Sequence, residues 1–165
     1  MKNILLLVFL ISGFFIISAK GQEDDATSGD AFSGYLNWSK VNQVTITGDD
    51  TGVLGAAHER AKGFREIYVN DIGKSTAYRE SDYPYPVGSV IIKESYSADD
   101  GAKGILKSIT IMVKREAGYD PDNGDWEYAM TDENLKVSRQ GKINMCISCH
   151  SVMSDKDFTF WDNTF

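Results

Sequence analysis

The chain contains few of the residues that build metal clusters and disulfide frameworks. Its 165 residues include two cysteines, two histidines and three prolines. Both cysteines lie in one short segment, Cys146-Ile-Ser-Cys149, which excludes a small fold stapled by several disulfides. Basic residues are also in the minority, with 17 Lys and Arg against 24 Asp and Glu and a formal net charge of −7. This balance excludes a basic nucleic-acid footprint and a polybasic membrane patch.

The two cysteines that are present form a recognisable motif with the next residue, His150. The spacing Cys146-x-x-Cys149-His150 is the attachment signature of a c-type haem, in which each thiol forms a thioether to the porphyrin. His150 then becomes an axial ligand of the iron. A Cys-x-x-Cys pair also occurs as a redox pair, as a simple disulfide and as half of a zinc site. These alternatives remain, but a disulfide does not need His150, and a zinc site needs two further ligands where His58 is the one other histidine.

The N-terminus predicts export. Lys2 precedes the apolar run Ile4–Ile17, and small residues follow around Ala19 and Gly21, as in a secretory signal peptide. The run is shorter than the ~20 residues of a membrane span, although an uncleaved N-terminal anchor is the alternative. No cysteine lies near the cleavage point, which excludes a lipoprotein anchor. We therefore expect a periplasmic or secreted protein.

Three segments follow from this pattern: a signal peptide at residues 1–21, a flexible acidic leader at 22–33 and one domain at 34–165. Loss of Lys2 and Lys20 with the signal peptide makes the net charge of −7 more negative by two. Such a surface suits a basic or neutral redox partner protein and does not repel small neutral substrates.

Alternating apolar residues predict several strands within the domain. The clearest are Ser89–Tyr96 and Ile105–Val113, joined by a turn at Asp99–Ala102 and expected to form an antiparallel hairpin. In the second strand Lys107, Ile109, Ile111 and Val113 are predicted to share one face. Other predicted strands are Val41–Thr47, Ile67–Val69 and one that begins at Trp126, with a short helix at Ile72–Arg79 capped by Asp71. The predicted fold class is α+β, mainly an antiparallel β-sheet with a few short helices and the haem-binding segment near the C-terminus.

Three stretches of the sequence resemble the cytochrome P-460 family and its relative, cytochrome c′-beta. The first is Tyr85-Pro-Val-Gly-Ser-Val-Ile-Ile-Lys-Glu94. The second is Met112-Val-Lys-Arg followed by Gly118-Tyr-Asp-Pro-Asp-Asn-Gly-Asp-Trp-Glu-Tyr128. The third is Cys146–His150 followed by Asp157 and Phe158. The order of these blocks makes the resemblance specific over nearly the whole domain.

The resemblance implies an antiparallel β fold, often a homodimer, with one covalent haem c. His150 would be the proximal iron ligand, and the other axial side would stay open to nitric oxide or related nitrogen species. Cytochrome P-460 itself oxidises hydroxylamine and has a lysine bonded to the porphyrin. Lys93 occupies the place of that lysine, so the resemblance makes it a candidate cross-link. Two alternatives remain for Lys93: it lies near the haem without a bond to the porphyrin, or it is a solvated surface lysine.

Three functions therefore compete: a five-coordinate gas-binding cytochrome with redox activity, a hydroxylamine-oxidising enzyme with a Lys93 cross-link, and a six-coordinate electron carrier. An oxidoreductase acting on hydroxylamine or nitric oxide is thus one hypothesis. Further candidate residues are His58 as a distal group, Met112 or Met130 as a sixth ligand, and Glu94 and Glu66 as proton-moving carboxylates. The aromatic residues expected to wall the haem are Phe64, Tyr68, Trp126 and Phe158.

Overall fold

The structure, a computed structural model, describes residues 32–42, 46–47, 64–79 and 82–160. Within these ranges the chain forms an antiparallel sheet of seven strands with short helices around it. The strands are β1 (Ser39–Lys40), β2 (Ile46–Thr47), β3 (Phe64–Val69), β4 (Val90–Asp99), β5 (Ala102–Lys114), β6 (Trp126–Thr131) and β7 (Val137–Gly141). The helices are α1 (Lys74–Ala77) and α2 (Asn144–His150), with 3-10 turns at Tyr35–Asn37, Pro121–Asn123 and Ser151–Lys156. The predicted fold class is confirmed, and no helix in the described ranges has the length and hydropathy of a membrane span.

The sheet is a meander built around the long hairpin of β4 and β5. The strand order is β1-β3-β4-β5-β6-β7, and β2 also pairs with β3. Asp100 and Gly101 join β4 to β5 with positive φ angles of 51° and 81°. Positive φ at both central residues is the geometry of a type I′ turn, whose twist matches that of the paired strands. The predicted turn between these two strands is therefore confirmed.

The sheet buries a separate core on each of its two faces. The face that carries Ile67, Ile91, Met112 and Tyr128 is called here the first face, and its core includes the fully buried Trp126. The opposite, second face has its own core, formed by Phe32, Tyr35, Tyr68, Ile92, Ile109, Ile111, Val113 and Ala129. Successive strand residues alternate between the faces because side chains along a strand point to opposite sides.

The predicted alternation along β5 is confirmed for its buried part. Ile109, Ile111 and Val113 all lie in the core of the second face, while Lys107 at the start of the pattern is exposed. The core of the second face also includes a residue that precedes the predicted domain start at residue 34. Phe32, which the sequence interpretation assigned to the leader, has an exposed fraction of 3% and packs in the same core.

Two local predictions differ from the structure. The helix predicted at residues 72–79 is the single turn α1, and the side chain that accepts the N–H of Gly73 belongs to Asn70 and not to Asp71. The strand β7 was not predicted at all. Its residues are largely exposed, so the sequence Val137-Ser-Arg-Gln-Gly141 lacks the apolar alternation that marks a half-buried strand.

Candidate functional site

Helix α2 carries all three residues of the Cys-x-x-Cys-His motif. The main-chain oxygen of Ile143, a buried residue, accepts the N–H groups of Cys146 at 2.9 Å and Ile147 at 3.0 Å and so begins the helix. Residues three and four apart share a helix face, so Cys146, Cys149 and His150 are presented together. Both cysteines are half-buried and free, and Cys146 packs against the core of the first face. The motif therefore lies on the side of the first face.

A hydrogen bond and ring contacts with two aromatic residues hold the imidazole of His150. Its Nδ1 lies 2.6 Å from the main-chain oxygen of Phe158. A carbonyl oxygen only accepts, so Nδ1 carries the proton and Nε2 keeps its lone pair. The ring also makes edge contacts with Tyr128 and Phe160, with centroids 5.3 Å and 4.9 Å away. This arrangement fixes the tautomer and orientation of the ring, as second-shell hydrogen bonds do for metal-binding histidines.

Lys93 lies on the first face, the same face against which Cys146 packs. In the sheet it stands between Ile67 of β3 and Thr110 of β5. Burial and the guanidinium of Arg65, itself buried, lower the pKa of Lys93 to about 8, while Cys146 and Cys149 act in the opposite direction. Lys93 likewise works against the burial that raises the pKa of both cysteine thiols. Its amine is thus within electrostatic reach of the motif, which differs from the surface position that a Lys-Glu pair on a strand suggests.

The carboxylates expected beside Lys93 lie on the opposite side of the sheet. Glu94 is 2% exposed on the second face, where Tyr35 and Tyr96 donate hydrogen bonds to it at 2.5 Å and 2.7 Å. Glu66 is paired directly with Glu94 across the two strands. Burial raises the pKa of Glu66, but the ammonium groups of Lys40 and Lys103 outweigh this and bring it down to about 2. Neither carboxylate is placed to move protons at the motif, so that expectation was wrong.

The four aromatic residues expected around the haem divide between the two faces. Trp126 and Phe158 pack in or against the core of the first face, as expected. Tyr68 belongs to the core of the second face, and Phe64 follows the same alternation along β3, so the expectation was wrong for these two. This division could not be predicted, since alternation does not show which side of the sheet the motif will cover.

The remaining candidates from the sequence are the methionines and His58. Met112 is 8% exposed within the core of the first face, and Met130 packs against the same core. Both are therefore on the side of the motif but are placed as core residues. His58 lies outside the described residues.

Tyr128 is a further residue of this site that the sequence reasoning missed. Its side chain is 3% exposed, its ring contacts His150, and its hydroxyl has no hydrogen-bond partner among the described residues. Burial, followed by the nearby Cys146, raises the pKa of this hydroxyl, which therefore stays protonated and able to donate. The one signal in the sequence was its place at the end of the Gly-Asp-Trp-Glu-Tyr block.

Residues 32–161 match the protein family described as Cytochrome P460. The chain belongs to the cytochrome P460 family. The match includes every described element, and it confirms the resemblance seen in the sequence. No curated protein compared with the chain matches it.

Membership in the cytochrome P460 family implies a haem cofactor, and the residues of the first face fit one. Two free thiols and an imidazole oriented through its Nδ1 are the donor set that a c-type haem site requires. A buried hydroxyl without a partner costs about 1–3 kcal/mol, so the orphaned Tyr128 hydroxyl indicates an acceptor supplied by a bound group. Cys146, Cys149 and His150 are the residues that would hold the haem, with Tyr128 and Lys93 nearby.

Proposed function

We propose that the chain is an exported monohaem c-type cytochrome that binds nitric oxide or a related small nitrogen species. In this proposal Cys146 and Cys149 form the thioethers, and His150 is the proximal ligand through Nε2. The observation that carries it is the hydrogen bond from the Nδ1–H of His150 to the main-chain oxygen of Phe158, 2.6 Å long. That bond selects the tautomer and orientation in which an imidazole serves as an axial ligand.

The side chains of the first face support a site for a small neutral ligand. In this proposal His150 would be the one protein ligand to the haem iron, which would leave the iron able to bind a diatomic gas. Apolar residues such as Ile67, Ile91 and Met112 form a buried core on this face. Neutral gases lose little hydration when they enter apolar surroundings, whereas anions lose a great deal. The apolar surroundings and an iron with a single protein ligand would together favour gas binding over simple electron transfer.

Hydroxylamine oxidation is the second candidate function, and the position of Lys93 favours it. The amine lies on the face of the motif, and with a pKa of about 8 about a tenth of it is neutral at pH 7. A neutral amine is nucleophilic, which bonding to the porphyrin edge would require. Since the carboxylates Glu66 and Glu94 are on the other face, the base for such a reaction would have to come from elsewhere.

The absorption spectrum of the reduced protein, with and without carbon monoxide, tests these functions against each other. An ordinary high-spin spectrum that shifts with carbon monoxide is the result expected for gas binding. A strongly red-shifted main band that reverts in a Lys93→Met variant would establish the cross-link and favour hydroxylamine oxidation. A low-spin spectrum that carbon monoxide leaves unchanged would contradict both and leave a six-coordinate electron carrier.

Intact mass spectrometry tests the attachment itself. We expect the mature chain to carry the mass of one haem after denaturation, and a Cys146→Ser, Cys149→Ser double variant to lose it. Wild-type protein without added mass would refute the proposal.

Export is part of the same proposal, since c-type haem is assembled outside bacterial energy membranes. N-terminal sequencing of the mature protein should begin near Gln22.

Two partners complete the proposal. A basic or neutral redox protein would complement the net charge of −7 and deliver or remove electrons. The association rate with such a partner should fall as ionic strength rises, because salt screens the attraction. The second expected partner is another copy of the chain, in a homodimer. Measurement of the molecular mass in solution tests this expectation directly.

A further inference from the structure

A buried ion pair lies directly behind the turn that contacts His150. Lys114 Nζ is 2.7 Å and 2.8 Å from the two carboxylate oxygens of Asp157, and both side chains are less than 10% exposed. The N–H of Tyr85 donates to the same carboxylate at 2.7 Å. The indole N–H of Trp126 donates to the main-chain oxygen of Asp157 at 2.8 Å. Asp157 is thus held at its side chain and its main chain by three buried residues.

The backbone at this point has an unusual conformation. Asp157 and Phe158 have φ angles of 48° and 64°, so two consecutive residues with side chains occupy the left-handed region. Each costs about 1–2 kcal/mol relative to ordinary helical backbone, and such a turn persists only where its surroundings enforce it. The contacts to Asp157 provide that enforcement. They fix the direction of the next carbonyl, that of Phe158, which accepts the Nδ1–H of His150.

We propose that the Lys114–Asp157 ion pair is a positioning device for the axial histidine. By holding the left-handed turn, it keeps the Phe158 carbonyl aimed at Nδ1 and so sets the tautomer and basicity of His150. This inference rests on the proposed function, in which His150 Nε2 binds the haem iron. Lys114 and Asp157 act through Phe158 and are positioning residues, not catalytic ones.

The energetics of buried ion pairs support a role beyond stability. Desolvation of both charges offsets most of their attraction, and apolar residues of similar volume often stabilise a fold equally well. An ion pair does, however, orient its groups. The Lys114 ammonium and the N–H of Tyr85 together allow one placement of the Asp157 carboxylate. Loss of the pair should therefore change the histidine more than it changes the fold.

The test compares a double variant, Lys114→Met with Asp157→Asn, with the wild type as haem-loaded proteins. Because both charges are removed together, no unpaired charge is left buried and folding should be retained. A weaker hydrogen bond at Nδ1 makes His150 a poorer electron donor to iron. We expect the iron–histidine stretching band of the ferrous protein to shift to lower frequency and the reduction potential to rise. The matched control is Arg115→Met with Glu127→Gln, which removes a neighbouring ion pair on the second face and should shift neither quantity.

The single variant Lys114→Arg guards against a misfolded double variant. The arginine keeps the positive charge, but it does not place a single nitrogen against both carboxylate oxygens of Asp157, as Lys114 Nζ does. This variant should therefore shift the stretching band in the same direction by a smaller amount. An unchanged band and potential in the folded variants would overturn the inference, as would equal shifts in the control. A wild-type chain without covalent haem by intact mass would instead refute the proposed function, so the two failures are distinguishable.

Discussion

Lys93 and Glu94 are consecutive residues of β4 that lie on opposite faces of the sheet. Lys93 shares the first face with Cys146, whereas Glu94 is buried on the second face among tyrosine hydroxyls. A Lys-Glu dipeptide on a strand is usually a solvated ion pair, yet here the two side chains are separated by the backbone between them. The lysine is consequently left on the side of the haem motif without its neighbour's charge.

The lowered pKa of Lys93 makes the stability of the apoprotein depend on pH. Folding lowers the pKa from 10.5 to about 8, so the unfolded chain binds more protons between these values. The free energy of unfolding therefore rises as pH increases through this window, and below it the charged amine destabilises the fold. We expect Lys93→Met to stabilise the apoprotein near neutral pH by about 1–3 kcal/mol, after allowance for solvent screening.

Urea denaturation at several pH values measures this effect. The gain from Lys93→Met should shrink as pH rises from about 8 through 10.5, because the wild-type amine is neutral in both states only above 10.5. Lys107→Met is a suitable control because this exposed lysine lies on the neighbouring strand. A gain that does not vary with pH would contradict the assigned cause.

Glu94→Gln tests the role of the buried carboxylate that follows Lys93 and lies on the second face. The carboxylate accepts hydrogen bonds from both Tyr35 and Tyr96, and an amide can accept only through its oxygen. One tyrosine hydroxyl would then face a donor, so we expect a loss of about 1–3 kcal/mol in unfolding free energy. The haem spectrum should not change, because Glu94 is on the far side of the sheet. A spectral change with unchanged stability would show that Glu94 reaches the haem after all.

Tyr128→Phe should have opposite effects on the two forms of the protein. In the apoprotein it removes a buried hydroxyl without a partner and should stabilise the fold by about 1 kcal/mol. In the haem-loaded protein it removes a donor to the bound group and should destabilise the fold by a similar amount. Thermal unfolding of both forms measures the difference. Equal effects in the two forms would mean that the hydroxyl does not serve the haem.

Gly124→Ala probes the packing behind the Phe158 turn. Gly124 has a φ of 68°, and a Cβ there would lie 2.5 Å from the Phe158 ring. Backbone strain and overpacking together should cost about 2–4 kcal/mol. Gly118→Ala is the matched control, since its φ is 97° but nothing lies within 4 Å of an added Cβ. It should cost about 1–2 kcal/mol from strain alone.

The two glycine variants should also differ in the spectrum of the haem-loaded protein. Displacement of Phe158 would move the carbonyl that accepts the proton of His150, so only Gly124→Ala should shift the iron–histidine band. An equal loss of stability in both variants, with no spectral difference, would indicate that the Phe158 turn adjusts freely.

Much of the fold was predictable because its signals are local. The hairpin of β4 and β5 follows from period-two alternation and an Asp-Gly turn, both visible in a short window of sequence. The strand β7 was missed because its exposed residues carry no such alternation. The distal carboxylates were assigned wrongly for a related reason: alternation shows that neighbours take opposite faces, but not which face a distant helix will cover.

The sequence by itself determined the Cys-x-x-Cys-His motif and the family of this chain. Five contiguous residues are enough for the motif, because its chemistry depends on spacing within one helical turn. Only the tertiary structure decided that α2 covers the first face, which brings Lys93 towards the motif and turns Glu94 away from it. It also joined Lys114 to Asp157 across 43 residues and the Phe158 carbonyl to His150. Such contacts depend on how the elements pack against each other, and no periodicity in the chain records that packing.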